Sequence, residues 1–385
     1  MIPYSRRLSW SLPENAIARA IRERREPYVD LTETNPTRVG LTPAVQLGAL
    51  ADPRAVRYDP DPKGLRAARE AVAAYYAESR GAAVDPERIV LTASTSEAYA
   101  FLFKLLCDPG DTVLVPEPSY PLFEMLTALE GIEAAPYPLR FDGEWHLDAK
   151  ALEIPARARA VLFVSPGNPT GAFLKQSELS ALMERCAAAH CALICDEVFA
   201  DYAWTADPRR VPTVAARDEV LAFALSGISK ICGLPQLKLG WCAVAGPRDE
   251  ALRAMERLEL IADTYLSVAT PVQLAAGDLL ETRHGFQRQV MQRVQANRRA
   301  LTRARPADAR WDVLPSEGGW SAIVSVPRTR SEDEWALALL SAGVLVHPGY
   351  FFDFPAGGHL VLSLVAPEGD FAHAAQAFAR VLHTP

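Results

Sequence analysis

Four clusters of polar residues stand directly after short apolar runs, and each suits a chemical task. Ser229-Lys230 follows the run that ends at Leu225-Ser226. A lysine held at a strand end in apolar surroundings sheds its proton more readily and can add to a carbonyl, giving a Schiff base. The same dipeptide is also common in surface loops. Of the 40 Lys and Arg residues only six are lysines, so a lysine at this place is less readily read as filler. Asp196 closes the run Ala192–Cys195 and is followed by Glu197-Val198-Phe199. A carboxylate buried there needs a cationic partner. A protonated pyridine nitrogen would serve, as would an ordinary ion pair, and a helix N-cap is an equal reading. Asn168-Pro169-Thr170-Gly171 has the usual composition of a turn, and Asn168 could also donate to a phenolic oxygen on a bound ring. Ser94-Thr95-Ser96-Glu97 precedes a helical stretch. Such residues cap helices, and with the backbone N–H groups of the first turn they also bind phosphate.

These clusters need a scaffold, and the apolar runs describe one. Ile89–Thr92, Thr112–Val115, Ala160–Val164, Ala192–Cys195 and Val220–Leu225 are continuous apolar runs of strand length, separated by helical patterns such as Ser96–Leu106. Runs of this kind are buried on both faces and predict an α/β fold, a mostly parallel sheet flanked by helices. Ligands in such sheets bind at the carboxyl ends of the strands, where the four clusters fall. Past about Glu281 the pattern changes. A long polar helix over Arg283–Arg305, a strand over Ser321–Val326, a helix over Glu332–Ala342, short strands near Val344 and Val361 and a final helix from Phe371 predict a smaller α+β domain. The expected division is 46–282 for the large domain, and 1–45 with 283–385 for the small one. The first ~45 residues are expected to pack on the small domain or on a neighbouring subunit.

The chain has 385 residues, a formal net charge of −7 and 49% hydrophobic residues. That composition is globular, and its mild acidity argues against nucleic-acid binding. No run approaches the ~20 apolar residues of a membrane helix, and no secretory signal follows Arg6-Arg7, so a cytoplasmic location is expected. The six cysteines form no Cys-x-x-Cys pair and no zinc pattern, so no metal is expected. A Walker loop, Gly-x-Gly-x-x-Gly, His-Glu-x-x-His and Gly-x-Ser-x-Gly are all absent.

The order of the clusters resembles that of the class I/II aminotransferases, enzymes of fold type I that use pyridoxal 5′-phosphate. The resemblance runs from Tyr58 to Ser363 and includes Asp108-Pro109-Gly110-Asp111, Pro116-Glu117-Pro118-Ser119-Tyr120-Pro121, Asn168-Pro169-Thr170-Gly171, Asp196-Glu197-Val198 and Ser229-Lys230. It implies that Lys230 carries the cofactor as a Schiff base and shuttles the substrate proton. Asp196 would keep the pyridine nitrogen protonated, Asn168 would bond the ring oxygen and Tyr120 would stack on the ring. Ser94, Thr95, Ser96 and Ser229 would hold the phosphate. Tyr58 would reach the phosphate of the neighbouring subunit, which implies a homodimer. The implied reaction moves an amino group from an amino acid donor to a 2-oxo acid by a ping-pong route.

Three departures from the family pattern bear on this expectation. Phe199 stands where the family has a tyrosine that bonds the ring oxygen, leaving Asn168 alone or Tyr202 as a substitute. Lys238 stands where an arginine forks onto the phosphate, which keeps the charge but loses the bidentate geometry. Val361 stands where an arginine clamps the substrate carboxylate. Arg38 is the first candidate to replace that arginine, ahead of His347 and His359. Trp320, after Gly319, and Tyr350-Phe351-Phe352 are candidate aromatic walls of the pocket, or small-domain core. The missing arginine motivates the alternative reading, a lyase or decarboxylase that uses the same cofactor.

Overall fold

The protein is described by a computed structural model covering residues 2–43 and 47–383. The expected junction between residues 45 and 46 lies outside the described residues. Helix α1 (Ala16–Glu23) and the short strand β1 (Val29–Asp30) open the chain. There follow α2 (Arg66–Arg80), β2 (Ile89–Thr92), α3 (Thr95–Leu106), β3 (Thr112–Glu117), α4 (Phe123–Glu130), β4 (Glu133–Phe141), β5 (Trp145–Leu147) and β6 (Ala158–Val164). Next come α5 (Gln176–Ala189), β7 (Ala192–Asp196), β8 (Ala222–Gly227), the single turn α6 (Ile228–Ile231), β9 (Gly240–Ala245), α7 (Arg248–Tyr265), α8 (Thr270–Leu274) and α9 (Ala276–Glu281). The remainder is α10 (Arg283–Ala304), β10 (Asp312–Val313), β11 (Ser321–Ser325), α11 (Glu332–Ser341), β12 (Val344–Leu345), β13 (His347–Pro348), β14 (His359–Ser363) and α12 (Glu368–His383).

One eight-stranded sheet, in the order β2-β9-β8-β7-β6-β3-β4-β5, organises the first part. Its central pairs, from β8 through β4, are parallel. The strands β7 and β8 are buried along their whole length, as continuous apolar runs require when both faces are covered. One apolar layer, with Val72, Leu193 and Trp241, covers one face, and another, with Leu102, Ile194 and Leu258, covers the other.

Two strands run against the rest. β9 is antiparallel to both β2 and β8, and β5 is antiparallel to β4. The short return from β8 to β9 contains α6, and with it Lys230. β4 has no counterpart among the expected strands. It carries Pro136 and Pro138, and Tyr137 and Leu139 are its only buried residues, so it shows little apolar signal.

The C-terminal part builds a four-stranded sheet, β10-β11-β14-β13, under α10, α11 and α12. Its core includes Trp311, Trp335, Phe371 and Phe378, and takes in Ile17, Leu31, Val39 and Leu41 from the N-terminal segment. β1 completes the union by pairing in parallel with β12, Val29 against Val344. No helix among the described residues is long and apolar enough to cross a membrane.

Candidate active site

A cavity of about 240 Å³ opens at the carboxyl ends of β6, β7 and β8. This is the position at which the ends of parallel strands and the starts of the following helices leave backbone groups unpaired. Lys230 lies in α6, immediately after β8. Its Nζ is 5.5 Å from the ring centre of Phe199 and 5.1 Å from that of Trp320. Burial pulls this amine below the usual lysine range, against the opposing fields of Asp196 and Glu33. A lysine so placed is a better nucleophile at neutral pH than one in water.

Asp196 is the last residue of β7 and is buried. Its Oδ1 accepts the Val198 N–H at 3.0 Å, and its Oδ2 accepts the Tyr99 hydroxyl at 2.8 Å. Burial raises the carboxyl to about 6, and the bonds from Val198 and Tyr99 and the charge of Lys230 hold it from rising further. Among the described residues it has no ion pair. The neighbouring Glu197 does not line the cavity and belongs to a separate buried network. It accepts from Thr213 Oγ1 and from the Val214 N–H, each at 2.8 Å, and burial raises it to about 7.

The start of α3 forms another wall. Ser94 is its N-cap, and its Oγ accepts the Glu97 N–H. Glu97 reaches back to the Ala93 N–H at 2.7 Å, which fixes the turn. The N–H groups of Thr95 and Ser96, which have no acceptor inside a helix, belong to residues that line the cavity. Asn168 enters from the turn after β6, and its Oδ1 lies 3.4 Å from Ser321 Oγ of the small domain. Tyr120 lines the cavity and is 48% exposed, and Ser229 lies beside Lys230. Trp320 is buried and completes the wall, with Phe199 and Tyr202 edge-on to its ring.

Nine of the expected residues thus meet at one cavity, and three lie away from its lining. Tyr58 is 76% exposed and sits in a separate depression with Asp59, Pro60 and Leu266. Lys238 is exposed, in a left-handed conformation with φ of 53°. Arg38 is also exposed, and its guanidinium pairs with Glu33 at 3.2 Å. The suggested substitute for Phe199 fails. Tyr202 is fully buried, and its hydroxyl donates to the backbone oxygen of Lys230. Val361 is buried in β14, between Ile323 and His347 on the adjacent strands. His347 packs against Phe351 and Phe352, and His359 stacks on Phe354 at 4.5 Å, both outside the cavity lining.

Tyr99, Thr34 and Ser321 also line the cavity, and sequence reasoning missed them. For Tyr99 a signal existed. It stands one helical turn after Thr95, on the face that begins at the anion-binding end of α3.

The family model for aminotransferase class I and II matches residues 28–378. Among curated proteins, an arginine–pyruvate transaminase of Pseudomonas aeruginosa is 30% identical, over 93% of this chain and 90% of its own length. An alanine aminotransferase of Mycobacterium tuberculosis is 28% identical, over 82% of this chain and 75% of its own length. Among solved structures, a Thermus thermophilus aspartate aminotransferase variant superposes with a TM-score of 0.83 at 25% identity, covering 99% of this chain and all of the other. An alanine aminotransferase from Pyrococcus furiosus gives 0.84 at 23% identity, covering 95% of both chains. Members of this family transfer amino groups with pyridoxal phosphate. With the match spanning nearly the whole chain, and the fold shared throughout, this protein belongs to the aminotransferase class I and II family.

Proposed function

We propose that the chain transfers an amino group from an amino acid to a 2-oxo acid, with pyridoxal 5′-phosphate seated in the cavity around Lys230. The observation that carries this reading is the pairing of Asp196 and Lys230 at the ends of neighbouring strands. One is a buried carboxylate with no cationic side chain bonded to it, and the other is an amine whose proton is weakened by burial. A buried carboxylate of this kind fits a protonated ring nitrogen. The first-turn N–H groups of Thr95 and Ser96, with the hydroxyls of Ser94 and Ser229, fit a phosphate. The residues present therefore fit the cofactor.

When bound, the cofactor supplies a carbonyl for the amine and a ring that withdraws electrons from the substrate Cα. Lys230 would hold the cofactor through Nζ, and its amine, when free, would carry the proton that leaves the substrate Cα. Asp196 would hold a proton on the ring nitrogen, Asn168 would donate to the ring oxygen, and Tyr120 would pack on the ring. Phe199 and Trp320, 5.5 and 5.1 Å from Lys230 Nζ, would keep water from the amine and so favour its neutral form. Lys238 lies outside the cavity lining, so its charge would act on the phosphate end from a distance. Trp320, in the cavity wall, is the candidate for contact with the substrate, whereas Arg38 is exposed and already paired with Glu33.

Residues 46–282 form the cofactor domain in this reading, and 1–45 with 283–385 form the domain that covers it. The protein acts in the cytoplasm as a homodimer, with Tyr58 reaching the partner's phosphate. The exposure of Tyr58 beside Val56, which is 93% exposed, and Leu47, 60% exposed, supports an apolar strip that a second copy covers.

The test is the absorbance of the purified protein before and after single L-amino acids are added without an acceptor. Conversion of the bound cofactor to its amine form, with one equivalent of 2-oxo acid released, is the expected result. Release of carbon dioxide or ammonia over many turnovers, with the cofactor spectrum unchanged, would overturn it.

A further inference from the structure

The cysteines at 186 and 191 occupy a particular place in the fold. Helix α5 ends at Ala189, and His190 takes a left-handed conformation with φ of 54°. Two bonds close the turn. The His190 N–H donates to the Ala187 carbonyl at 3.3 Å, and the Cys191 N–H to the Cys186 carbonyl at 3.0 Å. In this reversal the first and last residues of the six-residue turn face one another, and an apolar contact between their side chains usually seals it. Here both positions are cysteine, with Cys186 fully buried and Cys191 7% exposed. The backbone bond between the two residues holds their Cα atoms close, which is the first geometric requirement of a disulfide.

Both residues line a groove of about 440 Å³ at the amino ends of β6, β7 and β8, the end of the sheet away from the active site, between α5 and α7. Arg159, Arg253, Arg257 and His190 line the same groove, against Glu219 and Glu250. This largely basic approach favours a thiolate and an anionic reagent. Cys191, the more exposed of the two at 7% against 0%, is the attacking sulfur. All six cysteines are free thiols, Cys107 half-buried and the other five buried.

We propose that Cys186 and Cys191 are a reversible redox-modification site, closed to an intramolecular disulfide by a low-molecular-weight, carboxylate-bearing disulfide. The Cys191 thiolate attacks one sulfur of the reagent, forms a mixed disulfide and expels one reagent thiolate. Cys186 gives its proton to solvent, attacks the Cys191 sulfur and expels the second thiolate. Two protein thiols are oxidised and one reagent disulfide is reduced to two thiols, so electrons and protons balance. The turn lies at the start of β7, about 16 Å of strand from Asp196 at ~3.3 Å per residue. Oxidation therefore leaves the active site open and acts on the turn that anchors β7.

The experiment uses the full chain with its cofactor bound, treated with oxidised glutathione and then with dithiothreitol. Free thiols are expected to fall from six to four, with a mass loss of two hydrogens and full reversal by the reductant. Residues 186–209 form one tryptic peptide that also carries Cys195, so fragmentation must place the bridge between 186 and 191. Cys186→Ala is expected to stop at a glutathione adduct on Cys191, and Cys195→Ala to leave the bridge unchanged. Should Cys186→Ala fail to fold, Cys191→Ala is expected to hold all its remaining thiols under the same oxidant. A wild-type protein that keeps six thiols, stays as a stable Cys191 adduct, or bridges through Cys107 or Cys195 would overturn the proposal.

Discussion

Replacing Tyr99 by phenylalanine isolates one contribution to the site. The ring of Tyr99 packs edge-on to Phe123 at 5.6 Å and beside Phe103 at 6.0 Å, and phenylalanine keeps both contacts. What is lost is the hydroxyl that donates to Asp196 Oδ2 at 2.8 Å. A hydrogen bond to a buried charged group is worth about 1.5–3 kcal/mol. At about 1.4 kcal/mol per pH unit, its loss lifts the Asp196 carboxyl by about one to two pH units. In the free site that carboxyl already stands at about 6 because burial opposes its charge. The variant therefore enters neutral pH with Asp196 largely protonated, and must ionise it before it can hold a proton on a ring nitrogen. Single-turnover conversion of the bound cofactor by an amino acid is expected to slow about 2- to 10-fold at pH 7, the loss of ionised Asp196 that such a shift from about 6 produces. The rate should recover as pH rises, with its acid limb displaced upward from that of the wild type. Stopped-flow absorbance between pH 5.5 and 9 measures this, with thermal unfolding as the control for folding. A variant that is folded, with a rate within twofold of the wild type and an undisplaced acid limb, would refute the assignment of Tyr99 to the Asp196 charge.

Lys230→Ala is expected to abolish turnover and the absorbance of covalently held cofactor together; a variant that still turns over would remove Lys230 from its assigned role. Glu197 gives a stability prediction with a defined sign. Its folded value of about 7 lies above the ordinary 4.5, so the folded state holds this proton longer than the unfolded state. Stability is then fullest below pH 4.5 and falls as pH rises toward 7, by at most about 3 kcal/mol. Glu197→Gln removes that slope, so the wild-type unfolding free energy should fall relative to that of the variant as pH rises from 5 to 8; parallel curves would contradict the burial argument. Gly171→Ala places a Cβ against Ser316 Oγ and the Gly318 carbonyl at a φ of 66°, and should lower stability by about 1–3 kcal/mol, read by denaturant unfolding. Arg38→Ala is expected to change the donor KM less than about threefold, since the side chain is 75% exposed and already paired. A tenfold rise would restore it as the carboxylate anchor.

The parts of the site that the sequence displays are those where one short segment does the whole task. Asp196 and Lys230 follow the apolar runs of β7 and β8, and Ser94-Thr95-Ser96 forms a helix start by itself. Residues whose role depends on pairing across long separations are invisible to that reading. Tyr99 and Asp196 are 97 positions apart, and only the sheet brings α3 over the end of β7. Tyr202 shows the converse, for its spacing from Asp196 allows a ring-oxygen donor while the fold commits its hydroxyl to the Lys230 carbonyl. The antiparallel β9 was hidden for a similar reason. A buried strand of Gly240-Trp241-Cys242-Ala243-Val244-Ala245 reads the same in either direction, and the return through α6 decides the sense.

That return has a mechanical side. The Tyr202 hydroxyl holds the Lys230 backbone, the Tyr202 carbonyl accepts the Gly319 N–H at 2.9 Å, and the Trp204 N–H reaches the Glu317 carbonyl at 2.8 Å. Gly319 is the residue before Trp320, on the opposite wall of the cavity. Any rocking of the small domain that keeps these three bonds carries the lysine's main chain with the tryptophan, as two jaws riveted to one plate. The gap between amine and indole is thereby gauged by a single tyrosine, however far the outer edge of the small domain swings.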